Sequence, residues 1–313
     1  MRAYERDTGH LQWTLPLTNG VEGGGQLLGD KLFLSSSDGY IYSVNALTGE
    51  ILWKYPLRAE GLSEPTVSGG KVYVLAGNNI LHSLDANTGK LVWTYNRQEV
   101  SSLSIRGGST PTIDGNQLYV GFSDGYLVSL NKATGSLNWE TLINRNQRFR
   151  DVDASPVVYK DRILVPSYDG GLYCLDKKDG KVLWSRDEGG FSRVIVEQDR
   201  LFYGSSNNEV FALDANSGQT LWSFKVHGLP TQPQFYRGLI LVGDSSGPVY
   251  ALDARNGEVQ ATFHPGRGVT SPLSIDEKTG DAFFISADAN LFALKMDWIQ
   301  SMRLWPWEKQ EVL

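Results

Sequence analysis

Four histidines, one cysteine and a handful of paired charges are the residues of this 313-residue chain that invite a chemical reading. His10, His82, His227 and His264 lie far apart and share no motif, and none combines with a serine and a carboxylate in a recognisable triad. Cys174 stands alone, which excludes a disulfide within the chain and a thiolate metal site. The Asp and Asn residues fall mostly in glycine turns such as Asp38-Gly39 and Asp124-Gly125, where they shape the backbone and do not cradle phosphate. No carboxylates cluster at calcium-ligand spacing. The residues therefore predict no enzyme activity, no cofactor and no metal. Binding is the remaining chemistry. Leu103, Ile105 and Arg106 lie in one connection, and Asp151 and Asp153 in another. Apolar side chains beside a forked guanidinium have the composition of a docking surface. The alternative is internal use: Leu103 and Ile105 tucked into the core, Arg106 paired with Asp151 or Asp153, and the two aspartates capping turns. An internal Arg106 pair is compatible with docking, because it would pre-organise the loops.

The elements that must position these residues follow from a repeat. An apolar strand leads into a small-residue turn ending in Gly, and Trp follows four residues later. The copies are Gly9 with Trp13, Gly49 with Trp53, Gly89 with Trp93, Gly135 with Trp139, Gly180 with Trp184 and Gly218 with Trp222; at Gly257 the Trp is replaced by Ala261. The Gly positions are 40, 40, 46, 45, 38 and 39 residues apart. A period of about 40 residues with four strands per unit predicts an all-β chain folded as a β-propeller of four-stranded antiparallel blades. One unit reads as Ser155–Tyr159, Arg162–Ser167, Gly171–Asp176 and Lys181–Ser185, with Cys174 in the core and the repeated Trp packed between blades.

Residues 269–296 hold three strands, and the missing Gly turn with its Trp opens the chain instead. The count predicts seven blades, with eight as the alternative. The ring is expected to close by the N-terminal strand pairing with the C-terminal blade, which would remove free edges. The domain reading is one propeller over 1–296 and an aromatic-rich tail over 297–313. In the tail, Trp298, Ile299, Met302, Leu304, Trp305 and Trp307 either fold back on the rim or form a second docking or lipid-contact element. The two longest Gly intervals place extra residues at 97–109 and 144–153, in equivalent connections of adjacent blades. Insertions on one face of a repeat array often mark the binding face. A formal net charge of −6 with no basic run argues against a nucleic-acid partner. No apolar run reaches the ~18 residues of a membrane span. Met1 runs straight into a repeat, so the expectation is either an intracellular protein or a mature segment carrying a start Met.

The repeats resemble the quinoprotein (PQQ-type) propeller repeats. Two segments narrow the likeness: Leu103-Ser104-Ile105-Arg106-Gly107-Gly108-Ser109-Thr110-Pro111 and Asp151-Val152-Asp153-Ala154-Ser155-Pro156 are similar to segments of the BamB family, propeller lipoproteins of the outer-membrane β-barrel assembly machinery. The resemblance implies a non-catalytic scaffold, periplasmic and associated with the outer membrane. It implies docking onto the periplasmic domains of BamA through Leu103, Ile105, Arg106, Asp151 and Asp153. It also suggests unfolded outer-membrane proteins as clients, and membrane attachment only through a lipid anchor that this chain does not carry. The chain departs from the family's eight blades, from its signal and lipid-bearing Cys, and in its tail. Quinone-dependent dehydrogenases of the same repeat type are about twice as long and often carry adjacent cysteines, which a single Cys cannot supply. A propeller adaptor or a small-ligand or quinone-binding protein, using the central channel and unrelated to barrel assembly, is the alternative function.

Overall fold

The alternation of apolar residues in each repeat leaves two inner strands that must be covered on both faces, and the structure covers them with the neighbouring repeats. A computed structural model of the protein describes residues 1–97, 108–144, 151–168 and 170–296. Among these, every regular element is a β-strand. Six four-stranded antiparallel sheets span residues 25–56, 66–96, 112–142, 157–186, 195–225 and 234–263; a three-stranded sheet at 274–295 is the seventh. These are seven propeller blades, as the repeat count predicts. In each blade we name the strands A to D from the axis outward. The fourth blade comprises Val157–Tyr159, Arg162–Ser167, Gly171–Asp176 and Val182–Arg186, within two residues of the strands read from sequence. In blades 1 to 6 strands B and C are buried along nearly their whole length, whereas strand D, as in Leu91–Asn96, alternates between exposed and half-buried positions at the rim.

One apolar cluster fills each gap between blades. Phe33, Ile41, Val72 and Val74 join blades 1 and 2, and Leu164, Cys174, Leu201 and Tyr203 join blades 4 and 5. Cys174 is fully buried there, and burial pushes its thiol up to about 11, so it stays protonated and unreactive.

The repeated Gly and Trp are two halves of one joint. Gly49 has a φ of +77°, and a Cβ on it would lie 2.8 Å from the ring of Trp13. Only glycine fits both the left-handed backbone and the flat indole beneath it. The same stacking recurs for Gly89 on Trp53, Gly135 on Trp93, Gly180 on Trp139, Gly218 on Trp184 and Gly257 on Trp222. Most of these indoles also donate Nε1 to a carbonyl three residues before the Gly: Trp13 to Ala46 at 3.0 Å, Trp53 to Ala86 at 3.1 Å, Trp139 to Lys177 at 3.2 Å. Each such bond contributes about 1 kcal/mol beyond the buried area of the ring.

Ring closure differs from the expectation. The N-terminal strand Leu11–Thr14 pairs with Arg2–Tyr4 in a separate two-stranded sheet, and among the described residues the last strand of the seventh blade is strand C, Leu291–Lys295. The hairpin stands between blades 7 and 1. Trp13 and Leu15 join it to Leu34, Tyr42 and Val44 of blade 1, while Arg6 reaches Asp276 at 2.7 Å, and also Asp281 and Thr279, on blade 7. The physical reason is local. Arg2-Ala3-Tyr4 precede the Gly turn just as strand C does elsewhere, and pairing across a short turn costs far less loop entropy than closing the whole chain.

Candidate functional site

The two long connections are held at their roots by buried polar contacts. Arg97 closes strand D of blade 2 and lies against blade 3. Its Nε donates to Asp124 at 2.5 Å, one Nη donates to Glu140 at 2.5 Å, and the guanidinium stacks over Tyr126 at 4.5 Å. Burial works against its charge, but the hydrogen bonds to Glu140 and Asp124 outweigh that cost and keep it protonated. The same segment returns at Ser109, whose hydroxyl accepts from Gly121 N–H at 3.1 Å and donates to the Ala154 carbonyl at 3.3 Å.

The second connection leaves blade 3 at Asn144, which is fully buried; its backbone N–H donates to the Gly125 carbonyl at 3.2 Å. Ser167 of blade 4 ties the two ends of this connection together. It accepts from Asn144 Nδ2 at 2.8 Å and donates to the Asp151 carbonyl at 3.0 Å. Asp124 and Gly125 belong to one turn between strands B and C of blade 3, so a single turn receives the roots of both insertions. Inference from spacing put the two insertions on one face, and the geometry of their roots agrees. Thr110 N–H donates to Ser155 Oγ at 3.1 Å, stitching the outgoing ends of the two segments side by side.

Of the site residues read from sequence, Asp151 and Asp153 fall in this stitched segment; Leu103, Ile105 and Arg106 lie outside the described residues. The aspartates differ from an exposed pair. Asp151 is only 1% exposed, and Asp153 is half-buried. The reason is the intervening Val152, which plugs into the blade 3–4 cluster with Ile163 and Val165 and draws both neighbours inward. Burial, with the charge of Asp151 added, raises the Asp153 carboxyl to about 7.

Asp153 faces the propeller axis. There a cavity of about 480 Å³ is lined by residues that precede strand A in all seven blades, among them Glu64, Thr110, Phe191, Arg193 and Thr231. Burial raises the Glu64 carboxyl, and Arg193 opposes that rise. The cavity thus holds two carboxyls whose charged form burial disfavours, and one guanidinium. Sequence reasoning missed Arg97, Ser167, Glu64 and Arg193. A signal for some of the axial residues was present in the residue before Pro that ends several connections, as in Glu64-Pro65, Thr110-Pro111, Ser155-Pro156 and Gln232-Pro233. Among the described residues no trio of His, Cys, Asp or Glu comes together as a metal site. His82 is buried, its two ring nitrogens are without partners, and burial lowers it to about 4, so it is a neutral core residue.

The family model described as "Outer membrane protein assembly factor BamB" matches residues 1–224. The chain belongs to the BamB family. Curated BamB relatives match over shorter stretches: the Escherichia coli (strain K12) protein at 29% identity over 99 residues, 31% of this chain and 25% of the relative, and the Moranella endobia (strain PCIT) protein at 42% over 50 residues, 16% and 13% of the two chains. These alignments thus cover no more than a quarter of either BamB relative. Among solved structures, BamB from Moraxella catarrhalis superposes with a TM-score of 0.80 at 24% identity, covering 91% of this chain and 88% of that one. A europium-containing methanol dehydrogenase superposes at 0.72 with 14% identity, covering 90% and 76%. At these identities both likenesses establish the propeller fold and leave the chemistry to the residues.

Proposed function

We propose that this BamB-family chain is a non-catalytic scaffold that docks onto the periplasmic domains of BamA and supports the assembly of β-barrel proteins into the outer membrane. This reading places it in the periplasm at the outer membrane, with unfolded barrel proteins as clients. The observation that supports it is the convergence of the described roots of the two long connections, Arg97 and Asn144, on the Asp124–Gly125 turn; by sequence Leu103, Ile105 and Arg106 belong to the first connection, and Asp151 and Asp153 to the second. Arg97 and Ser167 brace those connections, so less order has to be imposed on binding. In this reading the buried aspartates shape the docking surface from beneath, and Asp153 does so with a carboxyl whose charge depends on pH. Arg106, Leu103 and Ile105 are the anchors.

The test is titration of purified BamA periplasmic domains with the intact chain and with Arg106→Glu. Reversing that charge in a desolvated contact should weaken binding by about 2–4 kcal/mol with an unchanged melting temperature. Unchanged affinity in a folded variant defeats the assignment; a large loss of stability makes Arg106 an internal structural residue.

A small-ligand reading has one observation in its favour, the axial cavity with its guanidinium and carboxyls. A quinone added with calcium should leave the melting temperature unchanged under the scaffold reading. A saturable rise would favour the ligand reading, because a molecule that binds only the native state stabilises it.

A further inference from the structure

One position in the repeat meets the axis in every blade. The residue two places before strand A lines the axial cavity in all seven, so seven residues ring it. Five have polar side chains: Glu64, Thr110, Ser155, Arg193 and Gln232, from blades 2 to 6 in that order. In blades 2 to 7 the next residue along the chain is buried, and in four of them it is a proline, Pro65, Pro111, Pro156 or Pro233, whose ring fixes the backbone. Each ring residue is thereby held at the cavity wall. Glu64 and Arg193 are the charged members. Three blades separate them in a ring of seven, which puts the carboxyl and the guanidinium on opposite sides of the axis, with Thr110 and Ser155 on the arc between. They remain within electrostatic reach, because Arg193 lowers the Glu64 carboxyl against the rise that burial imposes. Asp153, two residues before Ser155, adds a second carboxyl from that arc.

A ligand of this cavity must satisfy both signs of charge. A simple anion would be held by Arg193 but would face two carboxyls; a simple cation would meet the carboxyls but also the guanidinium. A molecule with a carboxylate at one end and an ammonium at the other matches both. A guanidinium grips a carboxylate through forked, charge-assisted hydrogen bonds. An ammonium beside a buried carboxyl favours its charged form and so offsets the cost of burial. Because the two charged groups stand across the axis, the two charges of the ligand must be further apart than in a single α-amino acid. Between them, the hydroxyls of Thr110 and Ser155 and the amide of Gln232 supply the donors and acceptors that peptide groups require. Leu229 and Phe191, the latter 36% exposed, add apolar wall. The volume of about 480 Å³ suits a small molecule.

We propose that the axial cavity binds a short peptide with both termini free, its carboxylate on Arg193 and its ammonium on Glu64, with Asp153 as the second carboxyl. Capture of free termini by paired charges makes the site selective for short chains, because a longer one cannot place both ends within the ring. The proposal gives the small-ligand reading of the cavity its chemistry. It does not depend on docking: it is tested on the chain alone, and its failure leaves the docking reading as it stands.

The probe is trialanine, compared with its N-acetylated and its C-amidated forms in thermal melts and calorimetric titrations of the intact chain. Trialanine at about 10 mM should raise the melting temperature saturably by about 4 °C, the shift for a ligand at roughly a hundredfold excess over its Kd. Each blocked form should bind roughly tenfold or more weakly, having lost one charge-assisted contact. Arg193→Ala should abolish the preference for the free carboxylate and keep the preference for the free ammonium, and Glu64→Gln should do the reverse. A merely structural role for either residue would not give that crossed pattern. The three peptides on the intact chain decide the matter even where a variant fails to fold. No shift with trialanine, or equal binding of the three peptides, overturns the proposal. Tighter binding of either blocked form also overturns it, making the cavity a site for a single charge.

Discussion

Replacing Asp153 by Asn removes one ionisation and little else, which makes it a clean probe of the axial cavity. The ordinary Asp value of 3.8 rises to about 7 in the native state, through burial and the neighbouring Asp151 charge. The native state therefore holds a proton between about pH 4 and 7 that the unfolded chain has already released, and stability falls as pH rises through that window. Three pH units correspond to about 4 kcal/mol at the limit. Asp153 is half-buried beside a cavity open to water, so screening reduces this to about 1–2 kcal/mol. Asp153→Asn, neutral at every pH, should match the parent near pH 4 and exceed its stability by that amount at pH 8. Thermal or urea melts of both proteins from pH 4 to 8.5 read the difference directly. A stability difference that does not change with pH would refute the reasoning, because Asp153 would then ionise normally. If docking onto BamA, as proposed, brings a partner cation next to Asp153, the cation should expel its proton, and titration with BamA periplasmic domains at pH 6 should release protons in calorimetry across buffers of different ionisation enthalpy.

Two further outcomes follow from buried polar groups. His82 is neutral in the fold down to about pH 4 but binds a proton near 6.5 when unfolded, so it costs stability as pH falls through that range. His82→Leu should therefore flatten the acid side of the stability profile, gaining up to about 3 kcal/mol near pH 4, and melts at pH 4.5 and 7.5 check it. Ser167→Ala deletes the bond from Asn144 and the bond to the Asp151 carbonyl in a fully buried site, and should cost about 2 kcal/mol by urea denaturation and weaken the proposed docking; an unchanged midpoint would remove Ser167 from its bracing role.

The sequence by itself determined the architecture. A Gly turn every 40 residues or so, with Trp four residues on, can be satisfied only by strands stacked in register, because the left-handed Gly and the flat indole must meet across each joint. The longer intervals likewise located the two insertions. What sequence could not determine were contacts between residues far apart in the chain. The burial of Asp151 depends on Val152 finding a pocket between blades 3 and 4. The convergence of Arg97 and Asn144 depends on a turn lying between them in neither segment's local pattern. Closure was misread for the same reason: Leu11–Thr14 has the pattern of strand D whichever strand C it joins, and only the tertiary structure showed that the nearby Arg2–Tyr4 takes that place because the shorter loop costs less entropy.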